Sequence, residues 1–254
     1  MYRLEREEFT RKPYIFLWGL LGFQAGFINA FGFLSCGRYV SHVTGFGTQI
    51  GLSLAGTNFL FALELLAFPG SFILGAFTSG VFTIARIEQG QRPHFEYLIA
   101  AMPIILILLV FFGSNGLFGP FGEELVTLRD FILLFALSFL CGLQNACFSI
   151  MTRGQIKTTH LTGISTDIGS DLARIYLGNL HRKELEISQG ANLSRILIFI
   201  GFTSGSILSV LVCEQLNYRG LLVPFFTSII VLLAVGLVSR TLDELERLRA
   251  LEKR

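Results

Sequence analysis

Charge is what this sequence has least of. Asp, Glu, Lys and Arg make up 15% of the 254 residues, where a soluble domain carries about 25%. So few charges cannot wet the whole surface of a soluble globule, and a bilayer is the solvent that fits. The net charge of +2 excludes the broad basic field that nucleic acid requires, so no nucleic acid partner is expected. Cysteine is scarce as well. Cys36, Cys141, Cys147 and Cys213 form no C-x-x-C pair, which argues against a redox motif or a zinc ribbon and for small buried apolar residues. No G-x-S-x-G, H-E-x-x-H or P-loop lysine occurs, so the reading is not an enzyme. His160, Asp167 and Asp171 have a spacing too generic for a metal site, and no cofactor or metal is expected.

What is abundant is apolar. The chain is 52% hydrophobic with 26 Phe and has a mean hydropathy of +0.63. Several runs reach the roughly 20 apolar residues that cross about 30 Å of hydrocarbon. The first, 14–34, is too long for a signal-peptide core and lacks a small-residue cleavage site after it. Residues 1–254 therefore read as a single multi-pass membrane domain, with the lipid bilayer as its main partner.

The N-terminus mixes Arg3, Arg6, Arg11 and Lys12 with Glu5, Glu7 and Glu8. Pro13 and Trp18 suit a helix start at the membrane surface. Helix 14–34 carries Gln24 and Asn29. A semi-polar segment, 40–55, continues into 58–67, which holds Glu64; Pro69 is expected to break or restart the helix before 69–87. Helix 97–117 follows. The second half repeats the plan with helix 128–150, polar segment 158–177, a charged loop at 181–189, and helices 193–213 and 221–239. The tail, 242–254, reads as a separate amphipathic helix.

The halves are one unit written twice. Gly26-x-x-Asn29-Ala30 matches Gly142-x-x-Asn145-Ala146, and His42-x-Thr44-Gly45 matches His160-x-Thr162-Gly163. Thr48, Ile50, Gly51 and Ala55 match Thr166, Ile168, Gly169 and Ala173. Phe72-x-x-Gly75-Ala76 echoes Phe202-x-x-Gly205-Ser206. The offset drifts from 116 to 118 to 130 residues, so insertions fall between helices. Repeat 1 covers about 14–120 and repeat 2 about 128–240.

Basic residues choose between two arrangements. If each polar segment is re-entrant, the chain makes six crossings. Then 17 Lys and Arg lie inside with both termini, against Arg38, Arg129 and Arg219 outside. If all eight segments cross, the split is 14 against 6. The expected fold is an all-α integral membrane protein of two inverted repeats, with six full crossings and two re-entrant or short polar helices. Eight crossings is the alternative. The termini are expected on the cytoplasmic side of a bacterial inner membrane.

Inverted repeats with broken, glycine-rich segments point to a midplane binding site. Its candidate residues are Asn29, His42, Thr44, Asn145, His160, Thr162 and Asp167. Each also has a plainer reading. The asparagines can hydrogen-bond between helices, the threonines can cap short helices, and the histidines can bond backbone rather than relay protons. Asp167 and Asp171 share a helix face with Arg174, which can neutralise Asp171. Gln49 is the repeat-mate of Asp167, so the halves are chemically unequal there. Glu64 is an intramembrane carboxylate or a snorkelling one. The leading function is transport of a small solute or ion; the alternative is a structural or accessory membrane protein. A homo-oligomer stays open on the sequence.

The doubled G-x-x-N-A pattern and the run Thr158-Thr159-His160-Leu161-Thr162-Gly163 resemble the YoaK-like bacterial membrane proteins (domain of unknown function 1275). The resemblance spans about 14–239 and implies a multi-pass bacterial inner-membrane protein, with no activity to carry over. It differs at Asn29, where members often carry Asp, and at Phe46, where they often carry Asn.

Overall fold

The computed structural model describes Leu4, Thr10 and residues 12–123, 128–178 and 181–252, with side chains left aside at 12–13, 128–130 and 238–252. The described residues are helical and contain no strand. The elements are α1 (Lys12–Cys36), α2 (Val43–Ala55), α3 (Phe59–Glu88), α4 (Phe95–Ser114), α5 (Leu128–Met151), α6 (Leu161–Leu177), α7 (Arg182–Leu216) and α8 (Leu222–Glu252). A 3-10 turn, Asn217–Leu221, joins the last two.

Five stretches among the described residues are long and apolar enough to cross a membrane. The fifth, Arg182–Leu237, is 56 residues long and takes in α7, the turn after it and the first half of α8. Such lengths are the mark of a multi-pass membrane protein. α2 has 13 residues and α6 has 17, or about 20 and 26 Å. Both fall short of the roughly 30 Å hydrocarbon layer.

Small residues set which helices meet. α1 packs along α7, and α3 along α5. A Cβ on Gly26 would overlap the Phe202 carbonyl, and one on Gly142 the Phe72 carbonyl. Likewise Gly205 abuts the Phe23 carbonyl and Gly75 the Phe139 carbonyl. These are the same positions in each half: 26 with 142, 72 with 202, 75 with 205, 23 with 139. The first helix of one half thus pairs with the long helix of the other. Apolar side chains gain nothing from leaving lipid, so close backbone approach supplies the attraction instead. Ser71 Oγ adds a 2.8 Å bond to the Phe135 carbonyl and Ser79 Oγ one of 2.8 Å to the Leu143 carbonyl. α4 and α8 pack on each other and on α5 and α1 respectively.

Hydrogen bonds also tie the ends of the bundle. At one end Gly122 N–H donates to the Ser35 carbonyl at 3.2 Å. There Tyr218 Oη reaches the Phe118 and Gly119 carbonyls at 3.3 and 3.1 Å. At the other end Leu4 N–H donates to the Met151 carbonyl at 2.8 Å.

Several expectations change. Pro69 lies inside α3 without breaking it. Proline removes one intrahelical bond, but the helix is held on both sides of it by Phe68 against Phe135 and by Ser71. α3 starts instead at Asn58, whose side chain accepts from Phe61 N–H at 3.2 Å. The stretch 181–189 is not a loop: α7 begins at Arg182, with Glu184 accepting from His181 N–H at 3.3 Å. The tail is continuous with α8 to Glu252. Trp18 is fully buried, edge-on to Phe148 at 6.1 Å, so it serves the core rather than the membrane surface. The mixed charges of the N-terminus and the amphipathic face of the tail lie outside the described residues.

Candidate functional site

Each polar helix is reached by a connector that folds back along the preceding helix. Asn29 sits seven residues before the end of α1, about 10 Å in. Its Oδ1 accepts from Ser41 N–H at 3.2 Å and Ser41 Oγ at 2.9 Å. His42 Nδ1 lies 3.2 Å from the same oxygen. Since that oxygen only accepts, the imidazole donates through Nδ1. Asn145, six residues before the end of α5, accepts from Thr159 N–H at 3.3 Å. The two asparagines thus bond their own connectors rather than a neighbouring helix. An orphan N–H at this depth would cost several kcal/mol in hydrocarbon.

α5 holds both connectors. Ser138 Oγ donates to the Val40 carbonyl at 2.8 Å, and Asn145 holds Thr159. Positions 138 and 145 are two helical turns apart on one face, about 10 Å along the axis. The starts of α2 and α6 are therefore anchored close together on one side of the bundle.

His42 and His160 are the N-cap residues of α2 and α6. Thr44 and Thr162, expected as caps, lie inside the first turn, and both are exposed. The helices begin earlier because the His42 and His160 carbonyls already accept from Phe46 and Ile164 N–H, each at 3.2 Å. His160 folds its ring over Gly163 and is exposed.

Asp167 is 54% exposed on its side chain and lies 3.6 Å from Arg195 Nη2. Asp171 is buried and accepts from Arg195 Nη1 at 2.7 Å, with Arg174 Nη1 at 3.6 Å from its other oxygen. The expected Asp171–Arg174 pair is present, but Arg195 is the nearer partner. Nothing in the spacing of α6 announced it; the available signal was a charge at the start of an apolar run. In the first half Gln49 accepts from Arg38 at 3.4 Å, so both mates of this position meet an arginine. Glu64 is exposed on α3.

A second polar group links the halves where α1 crosses α5. Gln24 Nε2 donates to Gln144 Oε1 at 2.9 Å, and Gln144 Nε2 donates to Thr158 Oγ1 at 3.0 Å and the Leu21 carbonyl at 3.1 Å. Thr227 Oγ1 on α8 donates to Gln24 Oε1 at 3.0 Å. These buried amides were visible as polar interruptions of apolar runs, but not as partners. All four cysteines are buried. Among the described residues, no three His, Cys, Asp or Glu side chains gather as a metal ion would need.

No curated protein and no solved structure matches the chain. The sequence profile described as "Protein of unknown function (DUF1275)" matches residues 17–234, most of the chain. With its long apolar helices and doubled N-A and T-G motifs, this multi-pass membrane protein belongs to the DUF1275 family.

Proposed function

We propose that this chain is a six-crossing permease of the bacterial inner membrane, carrying a small solute or ion between two inverted repeats. Both termini face the cytoplasm. The observation that carries the reading is the anchoring of both connectors to one face of α5, Ser138 to Val40 and Asn145 to Thr159. It sets the starts of two short polar helices about 10 Å apart along α5, one from each side. Broken helices at matching positions are where inverted-repeat transporters hold substrate. The path runs past Asn29, His42, Thr44, Asn145, His160, Thr162 and Asp167.

Six crossings are supported by the ends of the bundle. The Gly122–Ser35 and Leu4–Met151 bonds join segments that six crossings put on one side and eight crossings put on opposite sides. Each half then holds an odd number of crossings, which inverts one repeat relative to the other. The reading contains no catalytic step.

Uptake into proteoliposomes tests it, over a panel of small ions and polar solutes. Wild type accumulates one class, and Asp167→Asn alters that uptake several-fold while the protein stays folded. No uptake above empty liposomes for any solute sinks the permease. A second reading, a structural or accessory membrane protein, draws on the Gln24–Gln144–Thr158 network, whose members satisfy one another.

A further inference from the structure

We propose that the moving parts of the permease are two helix-swapped bodies, α1 with α7 and α3 with α5. They rock about the Gln24–Gln144 contact while a strap at each end of the bundle releases in turn. The inference rests on the permease reading and supplies the motion behind it.

Each body is sealed by backbone. Gly26 and Gly205 bring α1 onto α7, and Gly75 and Gly142 bring α3 onto α5. Between the bodies, side chains make the contact. Where α1 crosses α5, Gln24 meets Gln144 at 2.9 Å and Trp18 meets Phe148 edge-on. Among the described residues, no glycine of α1 or α5 abuts the other of these two helices. Interlocked backbones hold one register, whereas side-chain contacts yield to small rotations and slides. Gln24 stands at the middle of α1, where rocking displaces least.

The two ends are tied by equivalent bonds. Gly122 N–H, ahead of α5, donates to the Ser35 carbonyl of α1; Leu4 N–H, ahead of α1, donates to the Met151 carbonyl of α5. The donors are 118 residues apart and the acceptors 116, the offsets of the repeat. Each strap therefore fastens the approach to one body's first helix onto the end of the other's. At the Ser35 end, Tyr218 Oη also holds the Phe118 and Gly119 carbonyls, and Phe31 packs on Phe121. At the Met151 end, Thr10 lies against Gly190 of α7. Rocking toward either side stretches one strap and leaves the other in place, which is the alternation that inverted repeats perform.

The polar helices straddle the bodies. The approach to α2 is held to α1 by Asn29 through Ser41 and His42, while Phe46 further along stacks on Phe68 of α3. The approach to α6 is held to α5 by Asn145, while Asp171 further along is held to α7 by Arg195. Any rotation between the bodies therefore displaces the start of each polar helix against the helix it packs on. The motion reaches the path directly.

The test measures distances between spin labels by double electron–electron resonance, on the full chain in nanodiscs. The native cysteines are buried, so labels go on cysteines added at exposed positions. Phe59→Cys with Gln215→Cys spans the bodies at the Ser35 end, and Glu88→Cys with Gln189→Cys at the Met151 end. Phe59→Cys with Ile132→Cys lies within one body. Leu4→Pro removes the donor of one strap, and Tyr218→Phe removes the hydroxyl of the other. Leu4→Pro is expected to raise a longer-distance population several-fold at the Met151 end alone. Tyr218→Phe does so at the Ser35 end alone, and the distance within one body holds in both. Gly190→Ala, which presses on Thr10, and Gly122→Pro repeat the comparison where a first variant melts early. Ends that open together, ends that stay shut in every variant, or a changed distance within one body each overturn the proposal. Uptake without opposed opening sinks this proposal alone. Opposed opening without uptake of any solute sinks the permease reading alone, because the motion is measured without transport.

Discussion

The Asp171 carboxylate and the Arg195 guanidinium meet at 2.7 Å between α6 and α7, each side chain 6% exposed. In the first half Ser53 and Leu65 stand at the equivalent positions, and α2 is held by Phe46 stacked on Phe68 at 4.9 Å. One polar helix is docked by an ion pair and the other by aromatic rings. The two faces of an otherwise repeated fold therefore answer differently to substitution.

Removing one member of that pair strands a buried charge. Asp171→Leu or Arg195→Met alone should cost about 3–5 kcal/mol, whereas the double variant should cost less than either, since an apolar pair avoids desolvation. A double-mutant cycle in reversible SDS unfolding measures the coupling. Additive losses would show that the two residues act separately.

The crossed seams should be intolerant of a single methyl group. Gly26→Ala and Gly142→Ala push on the Phe202 and Phe72 carbonyls and should each destabilise by about 1–3 kcal/mol. Gly47→Ala faces open space and should stabilise by up to about 1 kcal/mol through helix propensity. Melting in detergent ranks the three. Equal effects would contradict the close approach.

Asn29 and Asn145 should differ in weight. Asn29→Ala deprives Ser41 N–H, Ser41 Oγ and His42 Nδ1 of one acceptor, and Asn145→Ala deprives Thr159 N–H alone. An unmade buried bond costs about 1–3 kcal/mol, so Asn29→Ala should lose more stability. Hydrogen exchange at residues 40–43 should rise in the first variant and at 158–161 in the second.

Topology has a direct readout, because the native cysteines are buried. Gln91→Cys and Ser114→Cys lie at opposite ends of α4, and both positions are exposed. A membrane-impermeant thiol reagent should label Gln91→Cys only from the cytoplasmic side and Ser114→Cys only from the outside. The reverse pattern would favour eight crossings.

The helices were largely legible in order and type, because hydropathy and turn residues act over short distances. Their limits were less so. A proline in an apolar run predicts a break, yet α3 runs through Pro69 because contacts on both sides hold the helix. The charge density of 181–189 predicts a loop, because the packing that makes it the start of α7 is not visible in the sequence. At the site, Asn29 and Asn145 stood out through their doubled motif. Ser138, Arg195 and Thr227 did not, since a single polar residue carries no mark of the distant carbonyl or carboxylate it meets.

The sequence by itself determined that this is a membrane chain, that it belongs with a doubled family pattern, and which small and polar residues recur. Those properties are written in composition and spacing, which need no partner to be read. Only the tertiary structure decided that α1 lies on α7 and α3 on α5, that Arg195 holds Asp171, and that both connectors hang from one face of α5. Each joins residues far apart in the chain. Their meeting depends on how closely glycine lets two backbones approach, a property of the packed pair rather than of either segment.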